Sequence, residues 1–203
     1  MSKRKRQFSR PYVERPYRKL LVIAVEGKKT EKGYFDIFRT MQSLMIYIEC
    51  LNSKTDSSPL HVLERMKRHL ADKELKKTDE AWLVVDKDQW TDDQLKTLCG
   101  WAQTRDNYGF ALSNPKFEYW LLLHFEDGDG IRSPADCDNR LKQHIPDYAK
   151  TIPSHKFTRE RIEAAVARAK RRDNPPCQDW PHNPGGTTVY RLVEKILNLC
   201  HTL

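Results

Sequence analysis

The sequence predicts an α/β protein, in which a mostly parallel sheet of about four strands is covered by helices and followed by a helical carboxyl-terminal part. Between residues 19 and 112, short apolar runs alternate with segments that have helical length and period. The runs are continuously apolar, which is typical of strands buried on both faces. Strands that alternate with helices in this way indicate a sheet connected by crossover helices.

The strands are expected at residues 19–25, 45–51, 81–86 and 108–112. The helices between them are expected at residues 30–40, 59–75 and 91–104. Thr30 and Thr91 are suited to cap a helix amino terminus, and Pro59 is suited to a first helical position. Asp92 and Asp93 favour the positive end of the third helix.

The remainder of the chain is predicted to be mainly helical. Helices are expected from Asn114-Pro115 to about residue 125 and at residues 133–144, 158–172 and 187–203, with irregular stretches at 145–157 and 173–186. We therefore divide the chain into an irregular arm at 1–18 and one domain at 19–203. Within this domain, residues 19–114 form the alternating core and residues 115–203 the helical part.

The charge of the chain is concentrated at its amino terminus. The net charge is +8, and residues 1–19 hold eight basic side chains against the single acid Glu14. Such an arm suits contact with nucleic-acid phosphates, and binding through it should weaken with salt. A solvated tail explains the same composition equally well.

The apolar runs are far too short to cross a membrane, and no secretory signal is expected, because no apolar stretch follows the basic residues. The five cysteines are scattered and include no CxxC pair. This spacing argues against a disulfide framework or a zinc site and favours a reducing cytoplasm. The sequence leaves the oligomeric state open, with a homo-oligomer among the alternatives.

Two of the predicted strands end in carboxylates, Glu26 after the first and Asp86 and Asp88 after the third. If the two strands are neighbours in one parallel sheet, the three acids meet at its carboxyl edge, where such sheets place their chemistry. Mg²⁺ or Mn²⁺ prefers oxygen ligands and keeps several waters, so two or three acids suffice. The alternative for any single DxD sequence is a solvated loop in which aspartate favours the turn.

Further candidates surround these acids. Lys28 and Lys29 follow Glu26 and could neutralise phosphate charge, although each alone is also an ordinary surface residue. Glu118 could act as an additional acid or ligand, and Asn114 could hydrogen-bond substrate or Asp86. Both residues equally suit the start of a helix.

The irregular stretch at 145–157 offers three polar side chains, Lys150, His155 and Lys156, that could reach phosphates or act as acid and base. A charged surface loop explains them as well. His124 lies in an apolar helix, where a satisfied and partly buried histidine is the simpler interpretation. No Walker A motif and no Rossmann glycine pattern occur, so any ATP hydrolysis must belong to a partner.

Four segments resemble the motifs of the RloB-like family, which includes AbiLii-type phage abortive-infection proteins. They are VEGKKTEKGYF at 25–35, VVDKD at 84–88, ALSNPKFEYWL at 111–121 and NPGGTT at 183–188. The resemblance implies a Toprim-like fold, in which a glutamate and a DxD pair bind magnesium. Matched by motif, these ligands are Glu26, Asp86 and Asp88.

The resemblance also implies a role in prokaryotic anti-phage defence, often beside an AAA/ABC-type ATPase. Toprim-like folds host several reactions, and a chain of this size is too short for the other domains of a topoisomerase. We therefore expect a metal-dependent nuclease that acts on DNA or RNA, including tRNA. The alternative is a non-catalytic nucleic-acid-binding or sensor subunit of a defence complex.

Overall fold

The computed structural model describes residues 19–40, 46–51, 58–88 and 90–200. In this part of the chain a single sheet has the strand order β2-β1-β3-β4-β5. The strands are β1 (Lys19–Val25), β2 (Ile46–Leu51), β3 (Glu80–Asp86), β4 (Tyr108–Asn114) and β5 (Gly186–Thr187). The first four are parallel, and β5 pairs antiparallel with β4. The predicted mixed α/β fold with a mostly parallel sheet is confirmed.

The described helices are α1 (Thr30–Thr40), α2 (Pro59–Asp72), α3 (Asp92–Ala102), α4 (Phe117–Leu122), α5 (Pro134–His144), α6 (Arg159–Arg172) and α7 (Val189–Cys200). A short 3₁₀ turn, Ser154–Lys156, lies between α5 and α6. Thr91 caps α3 as predicted, because its hydroxyl accepts from the Gln94 N–H while the Gln94 side chain accepts from the Thr91 N–H.

The sheet is buried on both faces, as the continuously apolar strands predicted. Side chains on one face of β1, such as Leu21 and Ile23, pack with α1 and the helices that follow β4. Alternate side chains, such as Leu20 and Val22, pack with α2, α3 and Trp180. This alternation follows from the two-residue period of a strand. Each fully buried Leu or Val contributes about 1.5–3 kcal/mol to folding.

The register of the sheet brings the ends of β1 and β3 together. Val25 lies opposite Val84, and Asp86 lies opposite Ser113 of β4. Because these strands are parallel neighbours, their carboxyl ends open onto the same edge of the sheet. The condition on which the predicted acid cluster depended is therefore met.

The predicted helix beginning at Asn114-Pro115 was wrong at its start. Strand β4 continues through Asn114, and helix α4 begins only at Phe117. A residue before proline is sterically disfavoured in the helical region, so Asn114 remains extended. Its side chain does not cap the helix and instead donates to the Pro181 carbonyl oxygen at 2.9 Å.

The last predicted helix also differs in its start. Gly186–Thr187 forms the short strand β5, and α7 begins at Val189. This added strand makes the sheet five-stranded in the described part of the chain, one more than expected. A two-residue strand carries no period, so the sequence pattern could not reveal it.

Three predictions fall wholly or partly outside the described residues: the arm at 1–18, the start of the second strand at residue 45, and the end of the last helix at residues 201–203. In the described part of the chain, no helix combines the length and the apolar character that a membrane span requires.

Candidate functional site

The carboxylate of Glu26 connects the ends of β1 and β3. Its Oε2 accepts from the Asp86 backbone N–H at 3.2 Å, and its Oε1 accepts from the Trp90 indole N–H at 3.1 Å. The Glu26 N–H in turn donates to the Val84 carbonyl oxygen at 3.2 Å. Glu26 therefore lies beside Asp86, and its side chain is only 8% exposed.

Asp86 connects β3 to the segment after β4. Its Oδ1 accepts from the Phe117 N–H, the first of helix α4, at 2.8 Å. Asp88 is exposed, and its backbone has the unusual φ of +34° while its N–H donates to the Pro115 carbonyl oxygen at 3.0 Å. Asp86, at the end of β3, thus contacts the start of α4, whereas Asp88, two residues later, is exposed to solvent.

These acids line a cavity of about 500 Å³ at the carboxyl edge of the sheet. This volume lies within the usual range for small-ligand sites. The cavity brings together seven of the predicted site residues with others from the same edge. Its lining consists of Glu26, Gly27, Lys28, Lys29, Thr30, Glu31, Asp86, Asp88, Phe117, Glu118, Ala149 and Lys150.

Three lysines contribute to the cavity wall. Lys28 and Lys29 lie on the exposed turn after β1, and Lys150 comes from the segment between α5 and α6. Lys150 has a φ of +64°, in the left-handed region that non-glycine residues seldom adopt. Asp88 and Lys150 are the non-glycine residues with positive φ in the described part of the chain, and both line this cavity.

Two predicted substrate-binding residues do not line the cavity. The Asn114 amide donates to the Pro181 carbonyl oxygen, as described above, and the Lys156 ammonium donates to the His144 carbonyl oxygen at 2.6 Å. Both side chains are therefore engaged in contacts between segments of the fold.

The sequence did not single out Glu31, which is 4% exposed and lines the cavity. Its Oε1 accepts from the Gly27 N–H at 2.9 Å. A Cβ added to Gly27 would lie 2.2 Å from Glu31 Oε2, so the Glu31 carboxylate would have to move if residue 27 carried a side chain. A glutamate in the first turn of a helix is common, so its position alone gave no sign of this contact.

Two further residues found only in the structure support the cavity. Tyr148 donates its hydroxyl hydrogen to Glu118 Oε1 at 2.9 Å. Arg65, on α2, donates from Nη1 to the carbonyl oxygens of Val25 and Leu51 at 2.8 and 3.0 Å. Arg65 thus connects the ends of β1 and β2 directly before Glu26.

Three acids of the cavity, Glu26, Glu31 and Asp86, hold their protons more tightly than free carboxyl groups. Burial, with smaller contributions from the charges of Glu31 and Asp88, raises the pKa of Glu26 to about 7. Burial and the charges of nearby acids also raise the pKa of Asp86 well above its ordinary value, and that of Glu31. Ionising these groups together is costly, so the cluster favours either protons or a cation.

His124, two residues after the end of α4, has hydrogen-bond partners within the core, as predicted, but it is more deeply buried than expected. His124 is 2% exposed, with Nε2 3.1 Å from the Tyr34 hydroxyl and Nδ1 3.0 Å from the Trp120 carbonyl oxygen. Burial lowers the pKa of His124 to about 3. The ring is therefore neutral at ordinary pH.

The donor set suits a hard cation, but the side chains are not arranged around one. In the described residues, no three His, Cys, Asp or Glu side chains are already gathered where they could hold a metal ion. The carboxylates of Glu26 and Asp86 both accept hydrogen bonds from the protein. Carboxylate oxygens in a recessed cavity nevertheless match the ligand chemistry of Mg²⁺ and Mn²⁺.

Fold and site together define an α/β protein with an acid-lined cavity, flanked by lysines, at the carboxyl edge of a mostly parallel sheet. The sequence model for RloB-like proteins matches residues 21–196. The chain therefore belongs to the RloB-like family. Comparisons with curated proteins and with solved structures gave no match.

Proposed function

We propose that this protein is a metal-dependent nuclease that cleaves phosphodiester bonds of nucleic acid at the cavity described above. The observation that carries the proposal is the contact between Glu26 and Asp86, which joins the ends of two parallel strands beside Asp88 in one cavity. Acids that leave buried strands at a common open edge are suited to hold a cation against a phosphate.

The proposed metal is Mg²⁺ or Mn²⁺, with Glu26, Asp86 and Asp88 as its protein ligands. Such an ion polarises a phosphoryl group and lowers the pKa of an attacking water. Glu26 is also suited to act as a general base, because burial raises its pKa to about 7, close to physiological pH. Glu118 lines the same cavity and is proposed as an additional acid that orients the site.

The lysines supply the positive charge that a phosphate substrate needs. Lys28, Lys29 and Lys150 line the cavity together with the acids. Ammonium groups at this position would neutralise the phosphates next to the cleaved bond. A substrate with a phosphodiester backbone, DNA or RNA including tRNA, matches this mixture of charges better than a neutral small molecule does.

The Toprim-like fold and the biological role of the protein are part of the same proposal. The strand order β2-β1-β3-β4 with helices on both faces supports the proposal of a Toprim-like fold, in which Glu26, Asp86 and Asp88 would be the metal ligands. We further propose an AbiLii-type role in prokaryotic anti-phage defence, in the cytoplasm, with an AAA/ABC-type ATPase as partner.

One observation favours a second candidate function. The acids are not gathered as a metal-ion ligand set in the described residues, and the carboxylates of Glu26 and Asp86 already accept hydrogen bonds from the protein. A non-catalytic nucleic-acid-binding or sensor subunit would need no metal at all. The two candidates differ in their response to divalent ions.

The test is to incubate the purified protein with tRNA, single-stranded DNA and duplex DNA, with and without Mn²⁺. Asp86→Asn retains an oxygen that can accept from the Phe117 N–H but removes the negative charge. We expect it to lower cleavage by roughly 100-fold or more, since a metal site contributes several kcal/mol to the transition state. Asp93→Asn is the matched control, because Asp93 is an exposed first-turn residue of α3 that does not line the cavity.

Thermal melting in the presence of Mn²⁺ gives a second, independent measurement. A ligand that binds only the folded state raises the melting temperature. We expect this increase in the wild type and in Asp93→Asn but not in Asp86→Asn. Nucleic-acid binding without any Mn²⁺ effect on melting or cleavage would favour the sensor subunit instead.

A further inference from the structure

Tyr148 connects two walls of the cavity without lining it. Its hydroxyl donates to Glu118 Oε1 at 2.9 Å and lies 3.3 Å from Thr30 Oγ1. Thr30 begins the helix after β1, and Glu118 lies in the first turn of the helix after β4. Since β3 lies between these two strands, the tyrosine hydroxyl spans the segments on either side of Asp86.

The residues that follow Tyr148 form part of the same wall. Ala149 and Lys150 line the cavity, whereas Tyr148 itself is 8% exposed and does not. The Lys150 charge acts on Glu31, whose pKa it lowers against the larger effect of burial. The buried Tyr148 side chain thus contacts Glu118 directly, and it lies two residues before a lysine of the cavity wall.

The segment that carries Tyr148 is fastened to the fold on both sides. The Tyr148 N–H donates to the Ile145 carbonyl oxygen at 3.0 Å, and Ile152 packs closely over Gly33 of α1. Beyond them, Phe157 is fully buried. These anchors explain how Lys150 can hold a φ of +64°, a conformation that persists only where the surroundings impose it.

The hydrogen bond has a defined direction. Burial and the charge of Glu118 raise the pKa of the Tyr148 phenol above its ordinary value, so the hydroxyl keeps its proton and donates it. The other Glu118 oxygen, Oε2, lies 3.9 Å from the Lys116 ammonium, beyond hydrogen-bond distance. Among the described residues, the Tyr148 hydroxyl therefore lies closer to the Glu118 carboxylate than the Lys116 ammonium does.

We propose that Tyr148 is a positioning residue of this site, which fixes the Glu118 carboxylate in the cavity wall. This inference rests on the proposed nuclease function and adds to it a residue from the helical part of the chain. Polar groups that hold an active-site carboxylate in place commonly contribute about 10–100-fold to metal affinity or activity.

Tyr148→Phe tests the proposal, because it removes the hydroxyl and keeps the ring that packs in the fold. We expect kcat to fall roughly 10-fold or more while KM changes less than about twofold, since Tyr148 does not line the cavity. We also expect the Mn²⁺ concentration at half-maximal thermal stabilisation to rise at least about threefold.

Tyr190→Phe is the matched control. The Tyr190 hydroxyl also donates to a carboxylate, Asp173 Oδ2 at 2.8 Å, but neither residue lines the cavity. A general loss of stability would affect both variants alike, so kcat and the Mn²⁺ midpoint of Tyr190→Phe should match the wild type.

A double-mutant cycle identifies the route of the effect. If Tyr148 acts through Glu118, adding Tyr148→Phe to Glu118→Gln should lower kcat by less than about threefold, because the coupled partner is already altered. Additive losses, or wild-type kcat and Mn²⁺ midpoint in Tyr148→Phe, would overturn the positioning role and leave the nuclease proposal intact. A wild type with neither cleavage nor Mn²⁺ stabilisation would overturn both.

Discussion

The Glu26 carboxylate accepts a hydrogen bond of 3.2 Å from the backbone N–H of Asp86, the last residue of the neighbouring strand. Sixty positions of sequence separate the two residues. The contact places an acid with a raised pKa against the strand end that carries a second such acid. The site is therefore electrostatically costly when its acids are ionised, and several measurable properties depend on that cost.

Glu26→Gln should change the stability of the metal-free protein in opposite directions at high and low pH. The pKa of Glu26 is raised from 4.5 to about 7, so its protonated form stabilises the fold below pH 4.5 and this contribution disappears as the pH rises through 7. A shift of this size corresponds to about 3 kcal/mol at most. A glutamine at position 26 does not ionise, but its single carboxamide oxygen can accept only one of the two hydrogen bonds that Glu26 accepts. Losing the other hydrogen bond costs about 1 kcal/mol of unfolding free energy.

We accordingly expect Glu26→Gln to be about 1–2 kcal/mol more stable than the wild type at pH 8 and about 1 kcal/mol less stable at pH 4.5. Urea denaturation at the two pH values measures the difference. The exposed Glu64 on α2 supplies the control Glu64→Gln, which should show no such reversal. A pH-independent difference for Glu26→Gln would contradict the assignment of a raised pKa.

His124 should make the protein less stable in acid. Its pKa is lowered from 6.5 to about 3 in the folded state, so its contribution is fully present above pH 6.5 and is lost as the pH falls toward 3. At pH 5 the loss amounts to about 2 kcal/mol relative to neutral pH. The raised pKa values of Glu26, Glu31 and Asp86 make the protein more stable in acid, which is the opposite effect. The contribution of His124 is therefore measured as a difference between the wild type and a variant.

The measurement is the difference in unfolding free energy between wild type and His124→Gln from pH 7.5 to pH 5. On acidification we expect the wild type to lose about 2 kcal/mol of unfolding free energy relative to His124→Gln. His155→Gln alters an exposed histidine of the 3₁₀ turn and should give a nearly constant difference. A constant difference for His124→Gln would show that the buried ring can be protonated in the fold.

Gly27→Ala should destabilise the protein. The added Cβ would lie 2.2 Å from Glu31 Oε2, so the buried carboxylate must move and give up its hydrogen bond from residue 27. We expect a loss of about 1–3 kcal/mol in thermal or urea denaturation. Gly100→Ala is the control with opposite sign, because Gly100 lies in α3 with no atom within 4 Å of the new Cβ. It should stabilise the helix by about 0.5–1 kcal/mol.

Lys28→Ala and Lys29→Ala should reduce the salt dependence of nucleic-acid binding. Each lysine that neutralises a phosphate contributes about 0.7–0.9 to the slope of log K against log salt concentration. Fluorescence anisotropy with the Asp86→Asn variant between 50 and 200 mM salt (roughly the range in which such contacts weaken) measures this slope without cleavage. Lys67→Ala, on the exposed face of α2, should leave the slope unchanged. An unchanged slope in both Lys28→Ala and Lys29→Ala would show that these lysines do not contact the phosphates of the nucleic acid.

The local sequence was sufficient to predict the repeating elements. The continuous apolar runs gave the buried strands, and the acids at residues 26, 86 and 88 marked two strand ends. Cap residues such as Thr91 defined helix starts to within a residue. These features depend on side chains close together in the chain, where period and capping chemistry are visible.

Contacts between distant segments could not be predicted in this way. The Tyr148 hydroxyl meets Thr30 across 118 positions and Glu118 across 30. Asn114 suited a helix cap by its type, yet the pairing of Asn114 with Gly186 extended the strand and its amide reached Pro181. None of these partners is marked by spacing or by residue type.

The sequence by itself therefore determined the α/β alternation, the burial of the strands and the acids that end two of them. Only the tertiary structure decided that these two strands are neighbours, that Glu31 and Glu118 join the cavity, and that Tyr148 stands behind its wall. The physical reason is that periodicity reports which face of an element is buried, whereas the partner of that face depends on how all elements pack at once.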